Sequence, residues 1–264
     1  MKVYATYNIK GGVGKTTAAV NLAYLSAADG WRTLLWDLDP QGAASFLFRI
    51  KPRVKGGGKA LIRGRTNLDD AIKGSDFDRL DLLPADFTYR NMDLLLAGAR
   101  PARQLARLLR PLAAWCDHVF LDCPPGISLV SENVMHAADI LVVPLIPTTL
   151  SVRTLDQLTG FVAGFYGHRP EVRAFFSMVD RRKRLHHDIA QDLWSERPGV
   201  LARTAIPSLS LIEHMSIERA PVTVFAPRSQ AARAFRALWS ELGPGLPPAL
   251  SAVSGQDRSD EGKN

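Results

Sequence analysis

One glycine-rich octapeptide constrains this 264-residue chain more than any other stretch. Lys10-Gly11-Gly12-Val13-Gly14-Lys15-Thr16-Thr17 follows the apolar run Val3-Tyr4-Ala5-Thr6-Tyr7 and precedes Ala18-Ala19-Val20-Asn21-Leu22-Ala23-Tyr24-Leu25. That order predicts a strand, a tight turn and the first turns of a helix. In such an arrangement backbone N–H groups and a helix N-terminus converge on a chain of phosphates. Gly11, Gly12 and Gly14 let the backbone approach the anion without Cβ clashes. Lys15 then reaches the terminal phosphates, and the Thr16 hydroxyl completes the coordination of Mg²⁺. The candidate nucleotide contacts are Lys10 to Thr17 throughout, Val13 included.

Further apolar runs, each closed by an acid or a proline, predict more strands. Residues 32–37 end in Asp37-Leu38-Asp39-Pro40-Gln41-Gly42, and residues 117–122 end in Asp122-Cys123-Pro124-Pro125-Gly126. Residues 79–84, 138–145, 171–180 and 200–207 complete the set. Helical patterns occupy 149–166 and 228–242, and 67–72 reads as a short capped helix. Strands alternating with helices predict an α/β fold with a mostly parallel twisted sheet flanked by helices. Ligands of such sheets sit beyond the carboxyl ends of the strands, which delivers Asp37, Asp39 and Asp122 to the phosphate loop. Asp122 stands where a Walker B acid would hold Mg²⁺, and the Gly126 amide is placed to sense a γ-phosphate. Met178, Asp180 and Pro207, at strand ends, are candidates for the base pocket.

The strict G-x-x-x-x-G-K-[ST] pattern is broken, because Ile9 holds its first glycine position and a second lysine, Lys10, heads the loop. This form resembles the deviant Walker A motif of the ParA/MinD family of dimeric ATPases. The D-x-D-P-Q-G and D-C-P-P-G strings resemble that family's other two nucleotide motifs, and the likeness runs to about residue 242. It implies a single-domain P-loop NTPase fold over 1–242, ATP and Mg²⁺ as ligands, and an ATP-dependent homodimer. In that dimer Lys10 crosses to the partner's nucleotide, Asp39 positions or activates the attacking water as catalytic and switch residue, and Asp37 supports the metal site. A slow ATPase accelerated by a partner protein is implied as well. Where ParA proteins carry I-P-R-N and E-A-P-S-H-G, this chain reads Ile206-Pro207-Ser208-Leu209 and Ile212-Glu213-His214-Met215-Ser216, which suits an orphan ParA-like protein with another cargo.

Lys and Arg outnumber Asp and Glu by 33 to 26, a formal charge of +7, which favours an anionic partner beyond the nucleotide. Non-specific DNA is the partner the resemblance implies, with Arg181, Arg182, Lys183, Arg184, Arg203, Arg219, Arg228, Arg233 and Arg236 as the candidate contacts. Two more basic stretches stand apart. Residues 51–65 are glycine-rich and read as a surface loop or a contact for an anionic surface or partner protein. Residues 101–115 read as a helix with Leu105, Leu108, Leu109 and Leu112 on one face and an arginine stripe (Arg100, Arg103, Arg107, Arg110) on another.

Cys116 and Cys123 lack metal or C-x-x-C spacing and read as reduced thiols of a cytoplasmic protein. Neither a signal peptide nor a run of about 18 apolar residues is apparent. The polar stretch 243–264 is expected to be a disordered tail. It lacks the apolar face of a membrane-anchoring helix, so no stable membrane anchoring is expected. Three alternatives stay open: a MinD-like membrane-associated positioning ATPase, a cofactor-insertion ATPase on the same scaffold, and a kinase.

Overall fold

The computed structural model describes residues 1–97, 103–165 and 170–245. Their centre is an eight-stranded sheet: β1 (Lys2–Thr6), β2 (Thr33–Asp37), β3 (Lys73–Gly74), β4 (Leu80–Leu83), β5 (His118–Asp122), β6 (Ile140–Leu145), β7 (Glu171–Val179) and β8 (Leu201–Pro207). The spatial order is β3-β4-β2-β5-β1-β6-β7-β8. Every pairing is parallel except that of β3 with β4. This is the P-loop NTPase architecture that the sequence predicts, with helices covering both faces. The chain order reverses at β1, so the loop leaving β1 opens into the crevice where such sheets bind ligands.

Burial on both faces explains why the strands read as continuous apolar runs rather than alternating ones. Val3, Ala5, Leu34, Trp36, Val119 and Leu121 fill one core layer. Their neighbours Tyr4, Leu35 and Phe120 fill the other, against helices Lys15–Ala28 and Gln230–Leu242. Tyr4 stacks on Phe120 with ring centroids 4.9 Å apart. The helix Lys15–Ala28 carries no clear amphipathic stripe because it too is covered nearly all round, with ten of its fourteen residues buried.

Three stretches depart from the sequence reading. Residues 51–65 are not simply a loop, since Gly58–Ile62 is a short helix whose Leu61 and Ile62, with Val54, enter the core. Gly58 is required there, because a Cβ at that position would stand 2.4 Å from the Tyr89 ring. The helix expected over 101–115 is α-helical only for Gln104–Leu109 and continues as a 3₁₀ turn, Arg110–Ala114. Pro111 has no N–H to continue the α ladder. Helix Thr149–Ala163 ends before Tyr166, which lies outside the described residues, as do Arg100 and residues 246–264. Asn67 does precede a helix, Leu68–Ala71, but its side chain makes no capping hydrogen bond. A helix that the sequence reading passed over, Arg184–Glu196, buries His186, Ile189, Ala190 and Leu193.

Candidate functional site

Strand register alone assembles the acids. Asp122 at the end of β5 lies between Thr6 of β1 and Asp37 of β2, which are its direct partners in the two ladders. Thr6 Oγ1 lies 3.5 Å from Asp122 Oδ1. Both carboxylates are completely buried. Ser45, at the start of the helix Ala43–Leu47, donates to Asp37 Oδ2 through its N–H (2.8 Å) and its hydroxyl (2.7 Å). The same hydroxyl accepts from the Ala85 N–H, which ties the acid to the loop after β4. The other oxygens, Asp37 Oδ1 and Asp122 Oδ2, have no hydrogen-bond partner.

Two buried acids with one unsatisfied oxygen each are costly unless something cationic faces them. Burial pushes the Asp37 carboxyl up to about 6, against the lowering effect of the Ser45 hydrogen bonds and with a contribution from the Asp39 charge. Asp122 is raised as well, first by burial and then by the Asp37 charge, with Thr16 and Lys15 acting in the opposite sense. The pair is therefore strained as two anions and suited to a hard divalent cation with oxygen ligands. Thr16, Asp37 and Asp122 are the residues that fit Mg²⁺.

The phosphate loop closes over these acids. Gly12 (φ 68°) and Gly14 (φ 94°) take the left-handed conformation, and Gly14 is the N-cap of the helix Lys15–Ala28. The loop also passes so close to β7 that a Cβ on Gly14 would lie 2.8 Å from Ser177 Oγ. Lys15 is buried, with Nζ donating to the Lys10 carbonyl at 3.2 Å. Burial lowers its pKa, while Asp122, Cys123 and Asp39 raise it. Lys10 differs in being exposed, and its side chain has no partner among the described residues. Its N–H donates to Asn8 Oδ1, while Asn8 Nδ2 donates to the Pro144 carbonyl at the end of β6. Asn8 and Ser45 thus set the loop and one acid in place, and the sequence reading missed both. A polar residue in an apolar strand exit and a serine eight residues after Asp37 were the only signals.

Asp39 is half-exposed beyond β2, with Oδ1 accepting from the Gln41 N–H. Gly126 reaches the loop, though its N–H already donates to the Ile9 carbonyl (3.0 Å), and its own carbonyl accepts from the Tyr7 hydroxyl (2.7 Å). Sensing a γ-phosphate with that amide requires this contact to open.

Met178 and Pro207 line a cleft beside Gly14 and Thr17, where the base pocket was expected. Asp180 does not join them. Its carboxylate is engaged by Arg182 at 3.0 and 3.1 Å and lies outside that cleft. Of the basic candidates, Arg181 and Arg233 line one groove with Thr204 and Gln230. Arg233 and Arg236 donate to the carbonyls of Arg228 and Pro227, so three arginines cluster around one helix start. Arg203 is exposed on β8, and Lys183 is exposed just before the helix Arg184–Glu196. Arg182 and Arg184 are paired with Asp180 and Asp188. Arg219 stacks on Phe46 at 4.5 Å and donates to its carbonyl, apart from the cluster around Arg228.

A family model described as an AAA domain matches residues 1–172. The chromosome partitioning protein ParA of Myxococcus xanthus is 31% identical over 250 residues, covering 91% of this chain and 87% of that protein. This chain belongs to the ParA/MinD family. Its fold is like that of apo McdA from Cyanothece, with a TM-score of 0.80 at 20% identity, covering 92% of this chain and all of the other. It is also like the septum site-determining protein MinD of Pyrococcus horikoshii, solved with Mg-ADP, at a TM-score of 0.74 and 20% identity, covering 96% and 98%. No helix among the described residues is long and apolar enough to cross a membrane, and both cysteines are buried and unpaired.

The strained acid pair carries a prediction for this ParA/MinD-family chain. A carboxyl whose folded pKa is raised binds its proton more tightly when folded, so stability falls as pH rises from about 4 to about 6 and stays reduced above. Asp37→Asn removes the charge and keeps an acceptor for Ser45. At pH 8 in EDTA it is expected to raise the melting temperature by a few degrees, with about 3 kcal/mol as the upper bound. At pH 5 the difference from the parent should shrink. A melting temperature lowered at pH 8 contradicts the account.

Proposed function

We propose that this chain is a ParA-type ATPase that binds Mg-ATP in the loop from Lys10 to Thr17 and dimerises on it. The single observation that carries the reading is the register pair Asp37 and Asp122, two buried acids with unsatisfied oxygens beneath the Lys15 loop. Thr16, Asp37 and Asp122 would hold Mg²⁺, which when bound would supply charge neutralisation to the nucleotide phosphates. Lys15 binds the phosphates within the protomer. Lys10 is exposed and reaches the nucleotide of the second copy. Asp39 orients the attacking water. Ile127, beside Gly126, and Leu150, opening the helix after β6, are exposed and supply apolar surface for the dimer at this edge. Hydrolysis is slow without a partner protein.

The dimer binds DNA through phosphate contacts that carry no sequence information. Arg181, Arg228, Arg233 and Arg236 form the strongest part of that surface, and a two-fold axis doubles it. Release follows hydrolysis, which partitions or positions a DNA or protein cargo in the cytoplasm on the nucleoid. Residues 1–242 make up the ATPase domain and 243–264 a polar tail.

The test is a gel-shift titration of Asp39→Ala protein with ATP on two unrelated duplexes at two salt concentrations. Equal affinity for both, falling with a log–log slope of about −0.9 per phosphate contacted, is the expected result. Absence of binding at low salt in the presence of ATP would refute DNA binding and leave the nucleotide reading intact.

A further inference from the structure

The two basic stretches that the ATP site does not use, separated by some forty residues in sequence, form one surface. Helix Gly58–Ile62 packs on helices Gln104–Leu109 and Met92–Ala97 and on the 3₁₀ turn Phe87–Asn91. The junction is a buried hydrogen bond, Gln104 Nε2 donating to the Ile62 carbonyl at 2.7 Å. Asn133 Oδ1 accepts from the N–H groups of Gln104 and Leu105, anchoring the second stretch to the helix Leu129–Ala137. Asp93 Oδ1 accepts from the Val130 N–H at the start of the same helix.

Around this frame Lys51, Arg53, Lys55, Lys59, Arg63 and Arg65 are all exposed. Arg103, Arg107 and Arg110 are exposed on the neighbouring stretch. Among the described residues none of these nine is in an ion pair, and neither 51–65 nor 103–110 contains an acid. The adjoining turn and helix expose two large apolar side chains, Phe87 at 67% and Leu94 at 75%. Arg90 lies over the Phe87 ring at 3.9 Å.

We infer that this face docks an acidic amphipathic segment of a partner protein, with carboxylates against the lysines and arginines and apolar side chains against Phe87 and Leu94. Charge complementarity selects the acidic partner. The exposed ring and leucine separate it from a duplex, which turns phosphates outward, keeps its bases stacked inside, and offers no apolar side chain to cover them. The hydrogen bonds through Gln104 and Asn133 fix the spacing of the charges before binding, which lowers the ordering cost. The side chains beneath this face, Leu61, Ile62, Leu105 and Leu109, belong to one core layer, whereas Ala231 and Phe235 of the helix after Arg228 belong to the other. The inference stands without the ATPase reading.

The test uses the full-length chain and a fluorescein-labelled twenty-residue helical peptide with glutamates on one face and leucine and phenylalanine on the other. Fluorescence anisotropy should show saturable binding, weakened at least tenfold in Lys59→Glu/Arg63→Glu/Arg107→Glu protein and several-fold in Phe87→Ser/Leu94→Ser protein. Arg233→Glu/Arg236→Glu protein should bind like the parent. All substituted side chains are exposed, and an unchanged melting temperature confirms each fold. No binding to the parent, equal loss with a scrambled peptide of the same charge, or a twenty-base-pair duplex that binds through Lys59, Arg63 and Arg107 instead would each overturn it.

Discussion

Replacing Lys15 by alanine or glutamine is expected to abolish Mg-ATP binding, with a loss of at least about a hundredfold in affinity. Lys15 is the buried cation of the loop, held 3.2 Å from the Lys10 carbonyl over two buried acids. On the proposed reading its contact with phosphate would be a charge-assisted hydrogen bond in a desolvated place, worth on the order of 3 kcal/mol. No neighbour substitutes for it, because Lys10 is exposed at the head of the loop. Burial already lowers the Lys15 pKa, so the ammonium is partly desolvated before any ligand arrives. Calorimetric titration with Mg-ATP measures the effect, with a thermal melt to show that the variant is folded. Binding as tight as that of the parent would remove the loop from the account.

Lys10→Ala should do something different: ATP stays bound within about threefold, and turnover falls by about 10² to 10³. Burial sets up the contrast: on the proposed reading the buried Lys15 serves its own protomer and the exposed Lys10 serves a second copy. A cation delivered across a dimer to a transferring phosphoryl group acts on charge that develops only in the transition state. Its removal therefore appears in kcat rather than in nucleotide affinity. Phosphate-release assays beside binding titrations separate the two. A Lys10→Ala protein that turns over normally would place the lysine outside the reaction.

The sheet and its acids were legible because they depend on local pattern. Apolar runs buried on both faces end in Thr6, Asp37 and Asp122, and the parallel rule puts those ends on one edge. Adjacency was not legible. That Asp37 and Asp122 are direct ladder partners follows from β5 lying between β2 and β1, which no local pattern encodes. Ser45 and Asn8 were missed for the same reason, since their partners Asp37 and Pro144 meet them only through tertiary packing. Glycines 56–58 made 51–65 read as a loop, although Leu61 and Ile62 carried the signal of a buried turn of helix. The partner of Asp180 was not legible either, since Arg182, two residues on, engages its carboxylate through a turn that no apolar pattern marks. The helix Arg184–Glu196 was passed over behind its basic start, though the spacing of His186, Ile189, Ala190 and Leu193 is helical.

The central claim is a nucleotide shared between two copies, and the mass of the Asp39→Ala protein in solution tests it most directly. On the proposed reading Asp39 orients the attacking water, so in its absence ATP should persist and the complex accumulate. Light scattering coupled to size exclusion should then give twice the monomer mass with Mg-ATP and the monomer mass with Mg-ADP. A single monomeric peak in both nucleotides, with ATP shown to be bound, would contradict it.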